Sequence, residues 1–499
     1  MPEFIVLEKS LEKLFLERDP FKVIEELDGT IYREYANRIT KEFSFNNETY
    51  FVKYHKGVGW KEIFKNIFQL KQPVLGAKQE WSCLHKLKAL QISCPEPVVF
   101  ASKGTNPAKR HSFIITRSLN ETISLEDLFL KQDDLVLSPI KRRELLENIA
   151  LISRTMHKQG LNHRDFYLCH FHINKNLDVS HKGIFLIDLH RAQMRKRVPR
   201  RWATKDIGGL FHSAMDLGLS ERDCYRFLKI YFDMSLRDIF QQQIKFIEIS
   251  RKRAFSMYME PILEEININS REDKQLSSVY LNGRKENMRW IANKEFFDQG
   301  LSEVINNLDH FMSKGEEIKS ERGHHIVKVN LNNDSIYIKK YQVKGLLHYF
   351  RKFFSQTRAL TAWKASHWFS AAGINTIKPL AVVERYDNFT TTESYLISLE
   401  QPGTRLDRVD FSKEKSYLIQ NKLTSFIKRL KWINFNHGDA KSSNFFLFEN
   451  KLFVLDLDIS KKRNFKFIFK NKINKDIKRI LKSFDHNLKI KDSLSRRFY

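Results

Sequence analysis

The sequence repeats itself. Sliding the first half forward by 282 positions, the offset between Trp81 and Trp363, also brings His85 onto His367, Ile92 onto Ile374, Pro97 onto Pro379 and Ile115 onto Ile397. Further on, Leu161-Asn-His-Arg-Asp165 faces Phe435-Asn-His-Gly-Asp439, and Phe185-Leu-Ile-Asp188 faces Phe453-Val-Leu-Asp456. Identity is low, but motif order is kept. Two copies of one domain in tandem is the economical reading; two unrelated domains with coincident motifs is the alternative. A chain of 499 residues, 42% hydrophobic, is long enough to bury more than one core.

The repeated motifs carry a chemistry. Kinase-type phosphoryl transfer needs one carboxylate beside the attacking hydroxyl and another to hold the Mg²⁺ that bridges the ATP phosphates. Asp165, behind His-Arg, fits the first role, and Asp188, ending an apolar strand, fits the second. A metal ligand usually follows the catalytic Asp by five residues as Asn; here that position is His170. Lys53 falls late in the second of two strands joined at Asn46-Asn47, where a Lys reaches the α- and β-phosphates, with Glu80 of the next helix as its partner. In the second copy, Asp439 stands as base, Lys441 as γ-phosphate stabiliser, and Asn444 and Asp456 as metal ligands, with Lys339 parallel to Lys53. Glu80, however, aligns with Ala362, and Glu393 and Glu400 come late to replace it. The competing readings are a chance His-Arg-Asp tripeptide and an edge-strand solubility charge at Lys53. For the second copy, the alternative is a pseudokinase that scaffolds the first.

Leu161-Asn-His-Arg-Asp-Phe-Tyr-Leu-Cys-His170 and Ile187-Asp-Leu-His-Arg-Ala-Gln193 closely resemble the lipopolysaccharide core heptose kinases, as do Glu26-Leu-Asp-Gly29, Tyr50-Phe-Val-Lys-Tyr-His-Lys-Gly-Val-Gly-Trp60 and Pro199-Arg-Arg-Trp202. The resemblance covers about residues 20–258. The second half more loosely resembles the wider lipopolysaccharide kinase group, which includes Kdo kinases. The resemblance implies an α+β chain of two tandem, bilobal protein-kinase-like domains, at 1–262 and 289–499, joined by a linker at 263–288 rich in Asn and Ser. It further implies ATP and Mg²⁺ as cofactors and the lipid A-linked core oligosaccharide as partner. The expected activity is phosphorylation of a core heptose, with a second sugar, such as Kdo or another heptose, for the second domain. A protein or small-metabolite kinase is the rival; no Ala-Pro-Glu follows Asp188, which weighs against the former.

Charge narrows the partners. Net charge is +27, which favours anionic partners. Residues 461–497 hold fourteen Lys and Arg against three Asp, a composition attracted to an anionic leaflet. No nucleic-acid-binding motif accompanies the charge, so no nucleic acid partner is expected. The four cysteines form no CxxC pair, which suits a reducing cytosol. The start lacks a signal-peptide layout, and no apolar run approaches the ~20 residues of a membrane span. The expectation is a peripheral protein on the cytoplasmic face of the inner membrane of a Gram-negative bacterium. Zinc at Cys169, His170, His172, His181 and His190 is disfavoured by spacing.

Overall fold

In a computed structural model of the chain, the described residues are 3–498 apart from 17, 36, 69–72, 131–136, 218, 270–278, 286, 322–323, 333, 343–355, 388–389 and 412. The chain is mixed α and β and divides into two compact units, Met1–Ser256 and Met257–Tyr499.

The first unit opens on a six-stranded antiparallel sheet in the spatial order Glu3–Val6, Pro97–Lys103, His111–Arg117, Glu48–His55, Arg38–Phe45, Thr30–Tyr35. Residues 3–30 belong to the sheet and its core. Phe4-Ile5-Val6 are strand formers and pair along Pro97–Lys103. The Pro20–Glu26 helix, capped by the Asp19 carboxylate on the Phe21 amide, adds Phe21, Val23 and Ile24 to the core on one sheet face.

The Asn46-Asn47 turn has both residues at positive φ, 52° and 65°, the two-residue geometry that matches strand twist. Its register decides where Lys53 points. Tyr50, Val52 and Tyr54 bury into the core with Phe43 and Phe113, so by period-two alternation Lys53 faces the opposite side. There the Lys78–Ala89 helix packs Trp81, Leu84 and Leu87 against Phe100 and Ile114.

The Pro139–Lys158 helix starts at Ser138, whose hydroxyl accepts from the Lys141 amide, and its Leu145, Ile149, Ile152 and Met156 are buried. It stops before Gly160 at φ 81°, where a Cβ would lie 1.8 Å from the Arg195 carbonyl oxygen. Beyond it, Leu161–Asn162 pairs with Gln193–Met194, and Phe171–Asn174 pairs with Ile184–Leu186. These small ladders clamp the two loops bearing Asp165 and Asp188. Helices Arg200–Ser213, Glu221–Phe232, Leu236–Gln242 and Ile244–Glu265 follow.

The second unit repeats the plan. Its seven-stranded antiparallel sheet runs Tyr280–Lys285, Met288–Asn293, Pro379–Asp387, Thr390–Leu399, Asp334–Gln342, His324–Leu331, Glu316–Glu321. Ile336 and Ile338 bury on one face, and Lys339 and Tyr341 turn to neighbouring positions over the Arg358–Ala371 helix. Within the expected linker, residues 270–278 (Ser270, Ser277 and Ser278 among them) and 286 lie outside the described residues, and Tyr280–Lys285 forms the edge strand of this sheet. After the Lys413–Ile433 helix come the same two ladders: Phe435–Asn436 with Lys461–Lys462, and Phe445–Phe448 with Lys451–Val454. The basic stretch from Lys461 folds into helices Lys466–Lys482 and Leu488–Phe498, with Ile473, Ile477, Ile480 and Phe484 buried and most of the charge outside.

Candidate active sites

In the first unit the residues read from sequence converge. The Lys53 ammonium donates to Glu80 Oε1 at 2.6 Å and to Asp188 Oδ1 at 3.1 Å. Glu80 is buried on the Lys78–Ala89 helix, so its pairing needs the sheet-to-helix packing just described. Asp188 sits at φ 58°, ψ 56°, a left-handed conformation that an Asp tolerates at a turn. Its Oδ1 also meets His190 Nδ1 at 2.8 Å and Arg38 at 3.7 Å. Burial opposes ionisation of Asp188, but Lys53, His190 and Arg38 outweigh it and hold the carboxyl well below the usual carboxylate range. For Lys53, burial is outweighed by Glu80 and Asp188, and the ammonium is held above its ordinary value.

His170 makes the backbone contact that Asn444 makes in the second unit. Its Nδ1 donates to the Asp165 carbonyl at 2.6 Å, which turns Nε2 toward Asp188 Oδ2 at 3.7 Å. In the second unit Asn444 Nδ2 donates to the Asp439 carbonyl at 2.8 Å and to Asp439 Oδ2 at 3.1 Å, leaving its own oxygen as an acceptor. Asp456, again left-handed at φ 57°, takes Lys339 at 2.5 Å. Burial raises its proton affinity, but the Lys339 charge and hydrogen bond lower it further. Asp456 and Asn444 present oxygen donors to one cavity of about 430 Å³, which Lys339, Lys441 and Ala362 also line. A hard cation such as Mg²⁺ takes oxygen ligands and fills its shell with water and phosphate, and this donor set fits it. The first site, with one carboxylate and an imidazole, fits it with fewer protein oxygens.

Several site residues escaped the sequence reading. In the first unit Arg191 brackets Asp165, donating from Nη1 to both carboxylate oxygens at 2.8 and 3.1 Å. It supplies the cation that Lys441 supplies to Asp439 at 3.1 Å, from the loop that carries Asp188 rather than the loop that carries Asp165. The reverse exchange supports Lys339. Glu393 and Glu400 do not reach it; they pair with Lys340 and Lys328. Instead the buried Asp458, two residues after Asp456, lies 3.6 Å from Lys339 and is bound by Arg358. The missing helix carboxylate at Ala362 is thus replaced by one from the loop that carries Asp456.

The other missed pair is Asp206 and Asp476. Asp206 takes the His163 and Arg164 amides at 2.7 and 3.0 Å; Asp476 takes those of His437 and Gly438 at 2.8 and 2.9 Å. Seven residues later, Ser213 and Ser483 hydroxyls each accept a catalytic-loop amide, from Leu168 and Ser442, at 3.0 Å. The recurring Asp-x6-Ser in both halves was the available signal. His163 and His437 also match, with Nε2 on the Ile187 and Leu455 carbonyls at 2.9 Å.

Two matches to one family of kinases cover most of the chain. The chain belongs to the Lipopolysaccharide kinase (Kdo/WaaP) family, which it matches over residues 22–231 and again over 312–497. It is 39% identical over 256 residues to the lipopolysaccharide core heptose(I) kinase WaaP of Pseudomonas aeruginosa, a match spanning 51% of this chain and 96% of that protein. The corresponding protein of Escherichia coli is 42% identical over 244 residues, 48% of this chain and 91% of its own. Among solved structures, a WaaP in complex with acyl carrier protein is similar at 34% identity and TM-score 0.45, over 51% of this chain and 99% of that one.

Proposed function

We propose that the chain is two tandem, bilobal protein-kinase-like domains, 1–262 and 289–499, that phosphorylate two sugars of the lipopolysaccharide inner core from ATP and Mg²⁺. The first domain takes a core heptose, and the second another core sugar such as Kdo or a second heptose. The observation that carries this is the Lys53–Glu80–Asp188 cluster, tied to the Asp165 loop through His170, together with relatives named heptose(I) kinases.

Asp165 and Asp439 accept the proton of the attacking hydroxyl; Arg191 and Lys441 hold them in place and offset charge at the transferring group. Lys53, fixed by Glu80, and Lys339, fixed by Asp458, orient the nucleotide phosphates. Asp188 with His170, and Asp456 with Asn444, would hold the metal, which when bound would supply charge to offset that of the phosphates. Positioning and charge do the work, since the protein forms no covalent bond in such a transfer.

The place of action is the cytoplasmic face of the inner membrane. The Gly59–Phe68 helix supports this: Trp60, Phe64, Ile67 and Phe68 are exposed beside Lys61 and Lys65, the composition of an interfacial helix. Among the described residues no helix is long and apolar enough to cross a membrane.

Mass spectrometry of core oligosaccharide from cells carrying Asp165→Asn or Asp439→Asn tests the division of labour. Each variant is expected to lose a different core phosphate, with transfer at the silenced site down ~10²–10⁴-fold. Loss of one and the same phosphate in both refutes two acceptors. Retention of every phosphate in Asp439→Asn makes the second domain a pseudokinase.

A further inference from the structure

Because both catalytic loops are held by the same contacts, positions around them can be matched. Asp206 and Asp476 anchor the amides, and Ser213 and Ser483 follow at the same spacing. Arg195 and Arg463 each donate to the paired Asn, Asn162 and Asn436. Gln193 opposes Asn162 as Lys461 opposes Asn436. In this register Trp202 corresponds to Lys472, Lys205 to Lys475, Gly209 to Arg479 and Arg164 to Gly438.

The exchanges change the space. In the first unit Trp202 is buried, with the Arg164, Arg195, Arg201 and Lys205 cations 5.6, 5.5, 4.8 and 4.3 Å from its ring centre. In the second unit the indole has become Lys472 and the arginine a glycine. A cavity of about 410 Å³ opens there, lined by Arg358, Lys461, Arg463, Lys472, Lys475 and Arg479. Its two carboxylates are committed, Asp458 to Arg358 and Asp476 to two backbone amides. Among the described residues, no salt bridge engages Lys461, Arg463, Lys472 or Lys475. Gly438 and Asp458 on its wall are neighbours in sequence of Asp439 and Asp456, so the cavity adjoins the second active site.

Like charges crowded into one concavity repel and favour an anion between them. We propose that this cavity binds a carboxylate or phosphate carried by the acceptor sugar of the second site, and so selects an anionic acceptor there. The inference rests on the phosphotransferase reading of the second domain. In the first unit the buried Trp202 stands where the second has Lys472, and by the same reasoning that site takes an acceptor without that requirement.

The test uses the full chain with Asp165→Asn, which silences the first site. Transfer from ATP is measured onto a sugar acid and its carboxamide, and onto a sugar phosphate and its dephosphorylated form. The anionic member of each pair is expected to show a KM at least tenfold lower. Arg463→Ala with Lys475→Ala should raise that KM by roughly 10- to 100-fold, as loss of charged hydrogen bonds does, and narrow the gap to the neutral member. Lys475→Arg should keep the preference, which a merely structural role for Lys475 does not require. Inorganic phosphate should compete with the anionic acceptor. Equal KM for charged and neutral acceptors overturns the inference while leaving the kinase reading intact. Stimulation of transfer to the neutral acceptor by free phosphate also overturns it, because the site then serves a diffusible effector. Absence of transfer to every acceptor would remove the phosphotransferase reading itself, and the acceptor assignment with it.

Discussion

The two sites use the same charges drawn from different residues. Lys53 has its carboxylate on a helix, at Glu80, and Lys339 has it two residues after Asp456, at Asp458. If Asp458 anchors Lys339, Asp458→Asn should raise the second site's KM for ATP by roughly tenfold or more, the scale of a lost charged hydrogen bond. Adding Ala362→Glu should restore it, since Ala362 lines the same cavity as Lys339. Nucleotide titration of the Asp165→Asn chain measures this, and failure of the second change to rescue would show that Asp458 serves only the fold. A second residue-scale expectation concerns His55, whose Nε2 is buried without a hydrogen bond among the described residues. Burial, with Arg38, His190 and Lys53 nearby, pushes its pKa down to about 3. The unfolded chain takes up this proton near the ordinary imidazole value of ~6.5, so the stability of neutral His55 is present above that pH and is lost as pH falls toward 3. His55→Gln should flatten the decline in melting temperature between pH 6.5 and 4, removing about 1.4 kcal/mol per pH unit of slope. An unchanged slope would assign the acid sensitivity to other groups.

At the scale of elements, each of the loops bearing Asp165 and Asp439 hangs from a helix that follows it in sequence. Asp206 on Arg200–Ser213 and Asp476 on Lys466–Lys482 each satisfy two buried amides, one per carboxylate oxygen. An Asn in either place can accept at one oxygen only and sets an amide nitrogen against the other donor. Asp206→Asn should therefore lower stability by about 1–3 kcal/mol and depress kcat at the first site more than KM for ATP, because Lys53 and Glu80 stay in place. Thermal denaturation with steady-state kinetics checks both, and a loss confined to KM would detach Asp206 from the catalytic loop. The Lys466–Lys482 helix shows why a basic tail is not simply a tail: Ile473, Ile477 and Ile480 fall at helical spacing and bury, while Lys478 is exposed and Lys472 and Lys475 line the basic cavity.

At the scale of the whole molecule, 86 Lys and Arg against 59 Asp and Glu leave an excess of positive charge, and the Gly59–Phe68 helix exposes its apolar residues beside lysines. Binding to anionic vesicles should weaken as salt rises, because the Debye length shrinks from ~8 Å at physiological ionic strength to ~3 Å at 1 M. Phe64→Ser with Phe68→Ser should weaken it further at every salt concentration. Sedimentation with anionic and neutral vesicles decides this; equal binding to neutral lipid would place the attraction elsewhere.

By itself the sequence marked the duplication and the candidate carboxylates and lysines of each half, because each is a local word in a fixed order: His-x-Asp, an apolar strand ending in Asp, a strand bearing Lys. Strand alternation and helix caps are equally local, and Asn46-Asn47, Ser138 and Gly160 mark them in the sequence. What only the tertiary structure decided were the partners that arrive from afar. Asp458, Arg191, Asp206 and Asp476 reach their contacts through sheet register and helix packing, and no spacing in the chain announces which cation or amide each will meet. The basic cavity of the second unit is the same kind of fact. Trp202 and Lys472 are ordinary helix residues in sequence, and their consequence appears only when Asp206 and Asp476 place them beside a catalytic loop.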